Sequence, residues 1–315
     1  MSAATIATVL TTTIAVMPAL LYATFGEIIG QRSGIVNLGI EGEMLIGAVS
    51  AFAVNVLIVQ NVPQLAGAAP WLGLLAGAAA GILTNLVFAT FVVGARTNQL
   101  ATGFAIYFLG IAVSSLVGHN YIGSNVQGLG TVSLPGLSAL PAPWNEIFQQ
   151  SLVVWLMIPV AAGVWYLLTR TRWGLHVRSV GEDKAAAYAA GLKPGRLQFQ
   201  ALAIAGALSG VAGADLSIDY TRTWQDLLTN GRGFIAICIV MLALWNPFRA
   251  ILGAMLYSLA FAVGLQLQAN GTSISPYVLD MLPYVVTMAV VLIWARPTRY
   301  SSPAGLREVF AGTSK

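Results

Sequence analysis

Two sets of polar side chains lie where an apolar chain would ordinarily avoid them. Asn37, Glu41 and Glu43 occur in the glycine-punctuated stretch GEIIGQRSGIVNLGIEGEMLIGA (26–48), and Asn98, Gln99 and Thr102 open a later apolar run that carries Phe104, Tyr107 and Phe108. An ionisable group at mid-bilayer costs several kcal/mol, so Glu41 and Glu43 must face protein, water or each other. On a helix, Asn37 and Glu41 would share a face while Glu43 points elsewhere. Two readings stay open for these three: they line a polar translocation path, or they hydrogen-bond neighbouring helices and steady a glycine-broken backbone. Asn98 and Thr102 also share a face. Amides and hydroxyls beside the Tyr107 ring suit a neutral, hydrogen-bonding, ring-containing solute, although helix packing uses the same mix. Glu27 with Arg32 reads as a structural ion pair.

The elements that must position these residues are membrane helices. The chain has 315 residues, 57% of them hydrophobic and 8% charged, with mean hydropathy +0.78. Soluble domains carry about 25% charged residues. The fold class is therefore all-α, a polytopic helical membrane protein embedded in a lipid bilayer. About nine spans fit, within a range of eight to ten: 5–26, 36–59, 71–94, 97–117, 150–169, 197–218, a short one at 232–246, 250–268 and 276–295. The count depends on 26–48, which could be a broken or re-entrant segment. Residues 1–315 read as a single transmembrane domain. Loop 118–149 lacks Lys and Arg and is placed outside, whereas the tail, 296–315, with Arg296, Arg299, Arg307 and Lys315, is placed in the cytoplasm. The uncharged N-terminus then lies outside.

Enzyme classes fall away. None of the three lysines sits in a phosphate-binding loop, the single cysteine, Cys238, rules out paired-cysteine motifs, and no metal-hydrolase or serine-elbow pattern occurs. His119 and His176 fall in loops on opposite sides. No catalytic residue, metal ligand or cofactor is expected. The basic residues sit in short loops, which accounts for the pI of about 9.3 without nucleic acid.

Charge gathers at 170–196, RTRWGLHVRSVGEDKAAAYAAGLKPGR, which holds six of the 15 Lys and Arg residues between two spans. This is a cytoplasmic loop by the positive-inside rule. Glu182 and Asp183 suit a first helical turn, Lys184 to Ala190 are mostly good helix formers, and Gly191 with Pro194 stops the helix. Two turns are too few to stand alone in water, so the helix must pack against something. A docking helix for a cytosolic partner is favoured over a solvated loop.

The 26–48 stretch, RTNQLATGFAIYFL in the fourth span, and TRWGLHVRSVGEDKAAAYAAGL followed by ALAIAGALSGVAGA together resemble the inner-membrane permease subunits of bacterial ABC importers of the branched-chain amino acid and simple-sugar class. The N-terminal motif is similar to that of nucleoside-type permeases working with basic-membrane-lipoprotein-like binding proteins. The resemblance implies cytoplasmic ABC ATPase subunits, a second homologous permease subunit (a heterodimer favoured over a homodimer) and an external substrate-binding lipoprotein as partners, in the bacterial plasma membrane. It also makes the 181–191 helix the coupling helix. Arg178, Gly181, Glu182, Ala186, Ala187 and Gly191 match the family's pattern; the chain departs from it at Ser179 and at Asp183-Lys184, where Asn-Pro is common. Simple sugars and branched-chain amino acids are the alternative solutes. The rivals from other classes are a stand-alone transporter driven by ions through Glu41 and Glu43, and a membrane scaffold.

Overall fold

The computed structural model describes residues 3–133, 141–294 and 302–306. The helices are α1 (Ala3–Arg32), α2 (Ile40–Asn61), α3 (Ala69–Ala89), α4 (Gln99–Gly118), α5 (Leu152–Arg170), α6 (Arg172–Glu182), α7 (Lys184–Ala189), α8 (Pro194–Ala214), α9 (Arg232–Leu242), α10 (Pro247–Ala269) and α11 (Pro276–Trp294). A short antiparallel pair joins β1 (Thr131–Ser133) to β2 (Gln149–Ser151). Seven segments, carried by α1 to α5, α8 and α10, are long and apolar enough to cross a membrane by length and composition; α9 and α11 are shorter apolar helices. All nine regions expected to span the membrane thus contain an apolar helix.

α1, α2 and α8 form the centre, and α3 packs against α2 and α8. Glycine makes that packing possible. A Cβ at Gly77 would stand 2.8 Å from the Ala214 Cβ and 2.9 Å from the Gly47 carbonyl oxygen, and one at Gly81 would overlap the Gly206 carbonyl. Backbones approach this closely only where no side chain intervenes, which is how helices associate when lipid supplies no hydrophobic drive. α4 presents one face to α2 through Gly103, Ile106 and Gly110, while Phe104, Phe108 and Leu116 are exposed on the other.

Three expectations need correction. The 26–48 stretch is not re-entrant: α1 runs to Arg32, the chain turns through 33–39, and α2 starts at Ile40. Glu27 does not pair with Arg32. Its carboxylate accepts from Gln31 Nε2 (3.0 Å) and from the Asn37 N–H (3.2 Å). The third correction concerns the seventh span. α9 has 11 residues, about 16 Å at 1.5 Å per residue, roughly half a bilayer core. The other half of the crossing is non-helical. Trp224 packs on Phe52 in the middle of α2 (ring centroids 5.9 Å), and Gly233 lies against Glu41 at the start of α2. Residues 224–231 therefore run back along α2 with Leu227, Asn230 and Gly231 in left-handed backbone, and Leu228 and Thr229 buried. Irregular backbone at this depth survives only inside protein or along a cavity.

The loop between α4 and α5 closes over the mouth of this segment. Asn125 and Ile122 bridge to Thr223 and Trp224, and the Leu129 N–H donates to Asp219 (3.1 Å). Of the tail, only 302–306 are described, so Arg296, Arg299, Arg307 and Lys315 lie outside the described residues.

Candidate functional site

The charged loop folds into two short helices mounted on the bundle. α6 is capped by Thr171, whose hydroxyl accepts from the Gly174 N–H (3.0 Å), and it ends at Glu182. Gly181 and Glu182 therefore close α6 rather than open the next helix. Asp183 is the N-cap of α7, accepting from the Ala185 and Ala186 N–H groups at 2.8 and 3.0 Å. At the other end Gly191 adopts φ +83°. The Leu192 N–H reaches the Ala187 carbonyl, and the Gly191 N–H reaches that of Tyr188, a Schellman closure. The expected helix and its stop are present; the helix starts at Lys184, past the Glu182 and Asp183 expected in its first turn.

Mounting and display are carried by different residues. Gly181 is buried against the Arg32 carbonyl and Gly34, and residues 302–306 cover it: Gly305 lies beside it, and the Ala304 N–H donates to Glu182 Oε2 (3.1 Å). Ala187 is also buried. The outward surface of α7 consists of Lys184, Ala185, Ala186 and Tyr188, with Tyr188 73% exposed. Sequence reading missed Tyr188, because a tyrosine in an amphipathic-length helix gives no sign of which way it points. Arg178 turns from this surface toward Arg32 and Arg249.

Beside α7 opens a cleft of about 1060 Å³ whose walls include Arg96, Asn98, Gln99, Glu182, Asp183, Lys184, Tyr188 and Gln198. Residues from two sets predicted separately, Asn98 with Gln99 and Glu182 with Asp183, thus meet on one surface. Their polar atoms are partly committed. Asn98 Oδ1 caps α4 by accepting from Leu100 and Ala101 N–H (3.0 and 3.1 Å), and Gln99 Oε1 accepts from the Val36 N–H (3.0 Å). Thr102 bonds Thr97 Oγ1 (2.8 Å), and Tyr107 packs edge-to-face with Phe234 (ring centroids 5.2 Å). Neither Thr102 nor Tyr107 lines the cleft.

Asn37, Glu41 and Glu43 are buried, and their pairing differs from the helical-face reading because Asn37 precedes α2. Asn37 Nδ2 donates to Glu43 Oε1, while Glu43 Oε2 accepts from Ser209 Oγ (2.6 Å) and Asn85 Nδ2 (3.3 Å). Glu43 thereby ties α2 to α3 and α8. Glu41 holds the non-helical half of this crossing: it accepts from Thr229 Oγ1 (2.6 Å), the Gly231 N–H (2.7 Å) and the Gly233 N–H (2.6 Å). A carboxylate from α2 thus supplies the N-terminal cap of half-helix α9, where unpaired N–H groups would otherwise point into the bundle.

The chain matches the family model described as a branched-chain amino acid transport system permease component over residues 8–291. It belongs to this permease family. Its relatives include the nucleoside ABC transporter permease protein NupC of Lactococcus lactis subsp. cremoris, 31% identical over 87% of this chain and 88% of the relative. The guanosine ABC transporter permease protein NupQ of Bacillus subtilis is 29% identical over 85% and 86%. A Haloferax volcanii protein named as a glucose ABC transporter permease, TsgC13, is 29% identical over 96% of each chain. No solved structure matches the sequence. The permease is a multi-pass membrane protein, as its composition required.

Among the described residues of the permease, no group of three or more His, Cys, Asp or Glu side chains could hold a metal ion. The buried Glu27, Glu41 and Glu43 accept hydrogen bonds from protein donors. The Asp183 cap gives the permease a direct test. Asp183→Ala should cost about 0.5–2 kcal/mol of local helix stability, read as faster amide exchange over 184–192, and Asp183→Asn should retain protection. Equal exchange in all three proteins would show that packing alone holds α7.

Proposed function

We propose that the permease is the membrane-spanning subunit of an ATP-driven, binding-protein-dependent importer for nucleosides, folded as one transmembrane domain in the plasma membrane with α6, α7 and the C-terminus in the cytoplasm. The observation that carries this reading is α7: a two-turn helix capped at both ends, braced from beneath by Gly181 and displaying Tyr188 outward. A chain with no phosphate-binding loop needs an outside source of work, and α7 is shaped to receive an ATPase subunit. A second permease and an external binding lipoprotein complete the assembly. Docking drives the cycle only if the ATPases hold α7 differently in their two states. Arg178, Gly181, Glu182, Asp183, Ala186, Ala187 and Gly191 then divide between bracing and contact, with Ala186 and Tyr188 at the contact.

The cleft lined by Asn98 and Gln99 is the near end of the solute path in this reading. Asn37, Glu41, Glu43, Thr102 and Tyr107 shape that path from behind. Nucleosides are supported by the names of the Lactococcus and Bacillus relatives, a nucleoside and a guanosine permease; the Haloferax relative, matched over nearly its whole length, supports a simple sugar as the second reading.

Uptake by the complete importer, competed with unlabelled adenosine, guanosine, uridine, ribose, glucose and leucine, separates these readings. Nucleosides are expected to compete; competition by glucose or ribose alone would transfer the assignment to sugars. In the same assay Tyr188→Arg should lower uptake at least about tenfold, equivalent to about 1.4 kcal/mol of lost docking, with unchanged membrane yield. Full uptake by that variant would remove α7 from the docking surface. Transport by the permease alone in liposomes without ATP would favour an ion-coupled carrier.

A further inference from the structure

Away from the cleft, a second cavity of about 200 Å³ lies where the ends of α1, α5 and α10 meet α6, lined by Arg32, Arg178, Arg249, Trp165, Thr169 and Asn246 among others. Among the described residues, no carboxylate lines it. Arg32 and Arg178 are close enough to repel, and the acid that offsets Arg32, Glu182, already accepts the Ala304 N–H. Arg178 Nε is buried with no hydrogen-bond partner among the described residues. Three guanidinium groups brought together in this way are stabilised by an anion shared among them, and the planar fork of arginine fits phosphate oxygens in pairs. The cavity is smaller than the roughly 300 Å³ at which sites for drug-sized ligands begin, so it suits a headgroup fragment.

We propose that Arg32, Arg178 and Arg249 seat the phosphate of an anionic phospholipid. Two features favour a lipid over a soluble phosphate. The cavity lies at the ends of three spans, with Trp165 and Trp245 at its wall, the level at which aromatic side chains meet headgroups. From its mouth, where Phe248 packs on Trp165 (6.1 Å), an exposed apolar flank continues along α5 and α10 through Tyr166, Leu252 and Met255, a surface for acyl chains. Basic pockets between span ends are a recognised place for anionic headgroups. Arg170, placed 5.6 Å over the Trp165 ring, adds positive charge beside the mouth.

The test is lipid retention by the purified full-length permease, measured by native mass spectrometry with added phosphatidylglycerol, phosphatidylcholine or inorganic phosphate. Phosphatidylglycerol should be retained over phosphatidylcholine, and millimolar phosphate should not displace it. Arg249→Gln, an exposed position tolerant of change, should weaken retention about fivefold, and Arg32→Gln combined with it about thirtyfold, as expected for one and two charges near an anionic headgroup. Equal retention of the two lipids, or wild-type retention by the double variant, would overturn the seat. Displacement by phosphate alone would overturn the lipid and leave a soluble anion as the occupant.

Discussion

Replacing Glu41 by alanine is expected to leave little stably folded permease in the membrane. The carboxylate accepts three hydrogen bonds, from Thr229, Gly231 and Gly233, all at the start of a helix that begins inside the bundle. Alanine would strand two buried N–H groups and a hydroxyl, at about 1–3 kcal/mol each. The sum, about 3–9 kcal/mol, is comparable with the whole 5–15 kcal/mol by which folded proteins are typically stable. Nearby groups cannot easily substitute, because Gly233 lies directly on α2, where the Glu41 backbone fills the space, and Gly231 lies against the Tyr284 ring. Glu41→Gln should be intermediate, since the amide keeps one acceptor oxygen and turns a donor toward the N–H groups. The measurement is monodisperse yield and Tm in detergent. A Glu41→Ala protein with wild-type yield and Tm but no uptake would identify Glu41 as a transport residue rather than a tether.

Gly181→Leu is expected to abolish ATP-driven uptake while the spans still insert. A Cβ at this position would collide with the Arg32 carbonyl, and Gly305 closes the other side, so the new side chain has nowhere to turn. Overpacking of this kind costs about 1–3 kcal/mol, and the whole strain falls on the seam between α6, the end of α1 and residues 302–306. The outcome is a loosened α7 platform, not a lost contact with a partner. Two readouts together check it: uptake, and limited proteolysis within 183–193, which should accelerate in the variant. Normal uptake with wild-type proteolysis would show that the seam plays no part in coupling.

These two residues also mark how far the sequence could be read. Both were singled out from sequence, Glu41 as a carboxylate in an apolar setting and Gly181 as part of a family pattern, yet each does something the sequence did not display. Glu41 was paired with Asn37 on helical spacing. That spacing fails because the chain does not become helical until Ile40, and Asn37 reaches Glu43 instead. Gly181 was placed at the start of the docking helix, whereas it closes the preceding one and is buried. Residues 224–231 fall between the expected spans 197–218 and 232–246, where the sequence pattern gives only a connecting turn. Their turn-prone Thr-Asn-Gly composition is the same whether such a segment lies in water or is folded back against α2.

The sequence by itself determined the all-α membrane fold, the positions of its apolar helices, the charged loop with its helix stop at Gly191, and the absence of a phosphate-binding loop. Each follows from local composition: apolar length, charge spacing and turn residues act over a few positions and need no distant partner. Only the tertiary structure decided which donors satisfy Glu41 and Glu43, that α9 is half a crossing completed by irregular backbone, that Asn98 shares one cleft with Glu182, Asp183 and Tyr188, and that Arg32, Arg178 and Arg249 converge. Those outcomes join residues up to 217 positions apart in the chain. Within a bilayer every buried donor and acceptor must find its partner inside the protein, and which partner it finds is settled by how the helices pack.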